Sequence, residues 1–184
     1  MFKRFLGIDP GRTGAFGLIR PGTAGMPALV RVFDMPGESH RGVDLSHVDD
    51  ILTHIPADET LVGLEWPTAR PGEVPDFAFR FGLQCGQLHA KLHSRFGASA
   101  IKLIPPNTWT GKLGLPGKTW HGAMEQRAAV LDAAYPHFSD LIRGPRGGLL
   151  DGRIDALLIA HYCFLVSGPL GSKGGRKPPK CFGV

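Results

Sequence analysis

The chain has 184 residues, of which 42% are hydrophobic and 20% charged, with a formal net charge of +5 and three cysteines. These values indicate one globular domain and exclude both a disulfide-stapled scaffold and a low-complexity chain. No apolar run reaches the roughly 20 residues of a membrane span, and MFKRFLGIDPG does not read as a secretory signal. We therefore expect a cytoplasmic protein, in a bacterium or a phage-infected host, with no membrane partner.

The charge is divided unevenly along the chain. Up to Asp76 there are seven Lys or Arg residues against eleven Asp or Glu residues, and beyond it there are fourteen against five. An acidic half joined to a basic half is compatible with a metalloenzyme that handles a polyanion, although many proteins show such asymmetry by chance. Residues 168–184 are basic and rich in Gly and Pro, which predicts a disordered tail after a single domain at 1–167.

Hydrophobic patterning predicts an α/β domain with elements in the order βββαβαβαα. Three consecutive strands indicate an antiparallel meander, and later strands that alternate with helices indicate parallel pairing. The expected fold is a mixed five-stranded sheet with helices on both faces. Strands are predicted at 4–9, 15–20, 27–35, 59–66 and 99–106, and helices at 44–55, 76–97, 117–135 and 151–166.

Four carboxylates stand at the ends of these apolar elements. Asp9 closes the first strand and Glu65 the fourth, while Asp151 and Asp155 open the last helix at i, i+4 spacing on one helix face. Each has an ordinary structural explanation except Glu65: Asp9 in an Asx turn, Asp151 as a helix cap, and Asp155 in the favourable field of the helix dipole. A pair of divalent ions explains all four together, because buried acids are costly without a compensating positive charge.

Oxygen ligands favour Mg²⁺ or Mn²⁺ over Zn²⁺, and two such ions can drive attack of water on a phosphodiester. The segments GIDPGRTGAFGLI, LVGLEW and DGRIDALLIAHY then resemble the RuvC-type Holliday-junction resolvases of the RNase H-like superfamily. The resemblance runs from about residue 5 to about residue 165. The prolines and the length of the segment after Glu65 resemble phage-type members of that family.

The resemblance implies a metal-dependent endonuclease that resolves four-way DNA junctions, leaving 5′-phosphate and 3′-hydroxyl ends. Asp9, Glu65 and Asp155 match the family's metal ligands, with two Mg²⁺ ions per site and Mn²⁺ as a substitute. Asp151 matches less well, since bacterial RuvC has D-x-x-D where this chain has D-x-x-x-D, which turns the first carboxylate by about 100° on the helix. It is either a ligand or a helix cap.

The family also implies a homodimer, formed in part by the long helix after Glu65. Gly82 and Gly86, at i, i+4 on that helix, suit close approach of a second helix or packing within the chain. No nucleotide cofactor is expected. DNA contacts are expected from basic residues near the acids and from an aromatic residue that could stack on a base: Arg12, Arg70, Lys112, Lys118, Arg143, Arg146, Arg153 and Trp66.

Two other functions stay open at this point. One is a broader nuclease that cuts flaps and forks, and sequence does not separate it from a junction resolvase. The other is a non-catalytic DNA-binding scaffold, whose mark would be loss of one of the acids. A two-domain sugar-kinase-type ATPase also begins with a Gly-Ile-Asp-x-Gly hairpin, but 184 residues are too few for it.

Overall fold

The computed structural model describes residues 2–23, 28–38, 42–66, 72–116, 122–135 and 138–167. The predicted basic tail at 168–184 therefore lies outside the described residues, as do Arg70 and Lys118. In the described part, none of the helices is both long and apolar enough to cross a membrane. The elements follow in the order β1 (Arg4–Asp9), β2 (Ala15–Arg20), β3 (Leu29–Asp34), β4 (Gly37–Glu38), β5 (Gly42–Val43), α1 (Leu45–Thr53), β6 (Thr60–Glu65), α2 (Pro75–Phe96), β7 (Ile101–Ile104), α3 (Pro106–Leu113), α4 (Ala123–Ala134) and α5 (Asp151–Ser167).

The predicted mixed five-stranded sheet is confirmed. Its strand order is β3-β2-β1-β6-β7, with β1, β2 and β3 antiparallel and with β6 and β7 parallel to β1. The hairpin of β1 and β2 is joined by the turn after Asp9, while α1 and α2 make the crossovers that parallel pairing requires. A meander of three strands followed by α/β alternation thus determines the order of the strands in the sheet.

Two features were missed in the sequence. The sequence predicts a strand as far as residue 106 and no element at 107–113, but this segment forms helix α3, with Pro106 in its first turn and left-handed Gly114 ending it at φ 65°. Proline suits that position because its missing N–H needs no partner in the first turn, and glycine suits the end because it accepts positive φ. The pair β4–β5 is a short antiparallel ladder separate from the main sheet.

Apolar side chains cover both faces of the sheet, as predicted. Alternate residues of β1 divide between them: Phe5 packs with α4 and α5, whereas Leu6 and Ile8 pack with α1 and α2. Helix α5 is the most deeply buried of the described helices. Every residue from Ile154 to Ala160 is buried. Each fully buried Leu or Ile contributes about 1.5–3 kcal/mol, so α5 is a principal source of stability.

Glycines allow α5 to lie directly against the sheet. A Cβ atom on Gly7 of β1 would stand 2.0 Å from the carbonyl oxygen of Ala156, and one on Gly17 of β2 would stand 2.7 Å from the Ala156 carbonyl carbon. Where α5 begins, a Cβ on Gly152 would stand 1.9 Å from the carbonyl oxygen of Thr13. The first turn of α5 is therefore held against the β1–β2 turn, beside the end of β1.

We predict that Gly7→Ala destabilises the fold by about 3 kcal/mol or more, because the added methyl group meets backbone that cannot yield without moving α5. The matched control is Gly111→Ala in α3, where no described atom lies within 4 Å of the added Cβ. That change is expected to be neutral or slightly stabilising. Urea unfolding of both variants measures the difference, and equal stability would contradict the close packing of α5.

Candidate active site

Asp9 and Glu65 lie side by side at one edge of the sheet. Strands β1 and β6 are parallel, and Ile8 pairs with Leu64, so the next residues along are Asp9 and Glu65. Neighbouring strands are about 4.8 Å apart, which brings two carboxylates together at the carboxyl ends of the strands. Asp9 is 8% exposed and Glu65 is half-buried. This juxtaposition is the one that the apolar runs ending in acids predict.

The turn after Asp9 is built around its carboxylate. The peptide N–H of Gly11 donates to Asp9 Oδ1 at 3.0 Å, which is the Asx-turn contact considered for this residue. The Gln84 side chain of α2 donates to the carbonyl oxygen of Pro10 at 2.5 Å and ties the turn to that helix. The turn role and a ligand role are compatible, since a carboxylate has two oxygen atoms and about four acceptor sites.

Glu65 is held by a buried tryptophan. The indole N–H of Trp109, on α3, donates to Glu65 Oε1 at 3.0 Å, and Trp109 is 1% exposed. A buried indole N–H needs an acceptor, and here that acceptor is a candidate metal ligand. The helix that sequence patterning missed therefore carries a residue that orients the site.

The two acids of α5 have different surroundings. Asp151 is exposed at the first position of the helix, and its Oδ1 accepts from the N–H of Gly152 at 2.9 Å. Asp155 is fully buried, and Nη1 of Arg127 donates to its Oδ1 at 2.5 Å. The contact of Gly152 with Thr13 places this turn of α5 beside the hairpin that follows Asp9. The i, i+4 spacing is thus realised with one acid in solvent and one in the core.

Arg127 is the cation that compensates Asp155. It lies on α4, is 2% exposed, donates through Nη2 to the carbonyl oxygen of Pro116 at 3.1 Å, and stacks over Trp109 at 5.4 Å from the ring centroid. The sequence analysis missed it. The available signal was its position on the apolar face of α4, four residues after Ala123 and four before Leu131, where an arginine needs a buried partner.

A thiol lies close to the paired strand ends. Cys85 of α2 is buried, and burial raises the pKa of its thiol to about 11, with further contributions from the charges of Glu65 and Asp9. Cys163 of α5 is also buried, and burial raises the pKa of its thiol to about 12. No nearby carboxylate adds to this rise. Glu65 and Asp9 contribute to the pKa of Cys85 but not to that of Cys163. The pKa of Cys85 therefore reports on the charge of these two carboxylates.

Two of the candidate ligands, Asp9 and Glu65, are suited to a hard divalent cation, whereas Asp155 already pairs with an arginine. Asp9 and Glu65 supply carboxylate oxygens at adjacent strand ends, which are the ligands that Mg²⁺ prefers. Asp155 is engaged by Arg127 in the same structure. In the part of the chain that the structure describes, no group of three or more Asp, Glu, His or Cys residues is already arranged around one metal position.

The predicted DNA contacts fall into two groups. Arg12, Lys112 and Arg146 are exposed, with Arg12 and Asp151 lining one cleft beside the hairpin turn. Arg153 instead forms two hydrogen bonds to Asp34, at 2.6 and 2.7 Å, and a third to the carbonyl oxygen of Leu141. The bonds from Arg153 lower the pKa of Asp34. Exposed Arg143 donates to the carbonyl oxygen of Gly147 at 2.9 Å within the glycine-rich connection.

Trp66 is half-buried and follows Glu65 directly. Its ring meets the ring of His89 edge to face, with centroids 5.9 Å apart, and it packs at the margin of the core on the α1–α2 side. Stacking on a DNA base stays a prediction for this residue.

No protein-family model and no curated protein matches this chain. Among solved structures, it is similar to T. thermophilus RuvC in complex with a Holliday junction substrate, with a TM-score of 0.54 and 17% identity over 87% of this chain and 92% of that one. The chain has a RuvC-like fold. A second structure, Thermus thermophilus RuvC, aligns over 87% of this chain and 94% of that one, with a TM-score of 0.48 and 18% identity. The first of these alignments, with the higher TM-score, covers 87% of this chain at 17% identity.

We predict that Glu65→Gln lowers the pKa of Cys85, because one nearby negative charge is removed at nearly constant shape. Peptide-resolved alkylation by iodoacetamide across pH 8–11 measures it. Cys163 is the internal control, since Glu65 does not contribute to its pKa. An unchanged pKa of Cys85 would contradict the close approach of the thiol and the carboxylate.

Proposed function

We propose that this protein is a divalent-metal-dependent endonuclease that resolves four-way DNA junctions by paired nicks. The observation that carries the proposal is the placement of Asp9 and Glu65 on adjacent strand ends beside the first turn of α5, within a RuvC-like fold. A similar structure holds a Holliday junction substrate, which supports branched DNA as the substrate here. We propose the cytoplasm of a bacterial or phage-infected cell as its location, and recombination or repair as its setting.

The residues that would hold Mg²⁺, or Mn²⁺ in its place, are Asp9 and Glu65 from the strands and Asp155, with Asp151 as a further candidate, from α5. When bound, two such ions lower the pKa of water and stabilise charge on the leaving 3′ oxygen, which yields 5′-phosphate and 3′-hydroxyl ends. The chain's own part is to orient the ligands. The Gly11 N–H fixes Asp9, and the Trp109 N–H fixes Glu65.

The phosphate backbone is proposed to contact the exposed cations on the same side. Arg12 stands in the turn after Asp9, and Arg146 in the connection that leads into α5. Arg143 and Arg153 are proposed to act mainly by shaping that connection, because each donates to a neighbouring carbonyl oxygen. Lys112, in the last turn of α3, completes the set among described residues. Arg70, Lys118 and the phage-type assignment remain proposals from sequence.

We expect the protein to nick a labelled four-way junction symmetrically in Mg²⁺, and Asp9→Asn to reduce the rate by more than about a hundredfold because a ligand charge is lost. The matched control is Asp58→Asn, an exposed acid next to the opposite end of β6, which should leave the rate unchanged. Forked and linear duplex DNA are tested in parallel. Equal cutting of forks supports the broader nuclease, and no cutting of any substrate supports the scaffold.

A second copy of the chain is proposed to dock on α2. At 100° per residue, Phe79, Gly82, Leu83 and Gly86 share one stripe of the helix, which is distinct from the buried stripe that begins at Cys85. Phe79 is 71% exposed and Leu83 is 53% exposed, and no described atom lies within 4 Å of a Cβ built on either glycine. An apolar stripe with small residues at its centre suits close packing of two helices.

We predict that Phe79→Asp shifts the protein from dimer to monomer, since it replaces the most exposed apolar side chain of that stripe with a charge. Sedimentation velocity at micromolar concentration measures the mass. Leu165→Asp is the control, because Leu165 is an exposed apolar residue that belongs to a different helix, α5. A wild-type protein that sediments as a monomer, or equal effects of both changes, would exclude the α2 interface.

A further inference from the structure

The guanidinium of Arg127 lies inside the protein beside a candidate metal ligand. It is 2% exposed, and its Nη1 stands 2.5 Å from Oδ1 of Asp155, which is fully buried. The Pro116 carbonyl oxygen accepts from Nη2 at 3.1 Å, and the Trp109 ring covers the guanidinium. An arginine does not lose its proton in proteins, so a permanent positive charge is fixed next to Asp155.

The same residues connect two carboxylates of the candidate site. Trp109 contacts Arg127 through its ring face and donates its N–H to Glu65. A continuous chain of contacts therefore runs from Glu65 on β6, through α3 and α4, to Asp155 on α5. Trp109 and Arg127 are both nearly inaccessible to solvent, so these contacts lie in a low-dielectric environment in which polar interactions are stronger than in water.

A buried carboxylate without a cation is strongly unfavourable, and a divalent ion or an arginine can each supply the missing charge. The two cations repel each other at short range and share the acceptor oxygens of a single carboxylate. A residue that stabilises Asp155 in the metal-free protein must therefore also weaken the binding of an ion to it.

We propose that Arg127 is the internal counter-cation of Asp155: it holds this carboxylate in place in the metal-free protein and opposes the divalent ion for its charge. Arg127 is thus a positioning residue that sets how tightly the site binds metal. The inference rests on the proposed metal-dependent function, and it adds a residue outside the acidic set.

The test compares the full-length wild type with Arg127→Met, Arg127→Lys and the double variant Arg127→Met/Asp155→Leu. The melting temperature is measured in EDTA and in Mn²⁺, and Mn²⁺ binding is measured by the loss of the free-ion EPR signal. Methionine keeps much of the arginine volume without charge, and lysine keeps the charge without the planar fork. The double variant removes both charges.

We expect Arg127→Met to melt well below wild type in EDTA and to recover most of that loss in Mn²⁺, with an Mn²⁺ dissociation constant about tenfold lower. Arg127→Lys should bind Mn²⁺ as wild type does. The double variant should melt near wild type in EDTA and gain less from Mn²⁺. A merely structural arginine would not produce a stability loss that an ion restores.

Equal destabilisation of Arg127→Met in EDTA and Mn²⁺, including failure to fold in both, would overturn the inference. So would a double variant as unstable as the single one, because the loss would then come from packing rather than charge. In both cases Mn²⁺ binding by the wild type leaves the proposed function standing. A wild type that binds no Mn²⁺ would overturn the inference and the metal-dependent function together.

Discussion

The direct contact of α5 with β1 and β2 is the constraint on which the rest of the structure depends. Gly7, Gly17 and Gly152 leave no room for side chains, so the helix backbone rests on the strands and on the hairpin turn. That contact buries the apolar residues of α5 and fixes where its first turn lies. The same packing that stabilises the core therefore brings the acids of α5 to the end of β1, and neither can change without the other.

The carboxylates of the candidate site have different partners among the described residues. Asp9, 8% exposed, accepts a peptide N–H, and half-buried Glu65 accepts an indole N–H. Asp155, with no exposed surface, takes the full positive charge of Arg127. Burying a charged carboxylate completely is unfavourable without a compensating positive charge, which Arg127 supplies to Asp155. The helices α3 and α4 that carry Trp109 and Arg127 thus support the site as well as the core.

The basic half of the chain serves two purposes. Some arginines hold the protein together: Arg153 joins the start of α5 to Asp34 at the end of β3, and Arg127 lies within the core. Others, such as Arg12 and Arg146, are exposed, and Arg12 lines a cleft that Asp151 also lines. Net charge alone does not distinguish these roles, because an ion pair inside the fold and a phosphate-binding surface draw on the same residue type.

The sequence by itself determined the strands that end in Asp9 and Glu65, the mixed sheet and the buried last helix, because periodicity and turn chemistry are local properties of the chain. It did not reveal α3, whose Pro105–Pro106 start the local pattern assigns to the end of the preceding strand, nor the two contacts that orient the acids. Trp109 reaches Glu65 across 44 residues, and Arg127 reaches Asp155 across 28. Only the tertiary structure decided those partners, since a hydrogen bond between distant elements leaves no local pattern and exists only where packing brings donor and acceptor together.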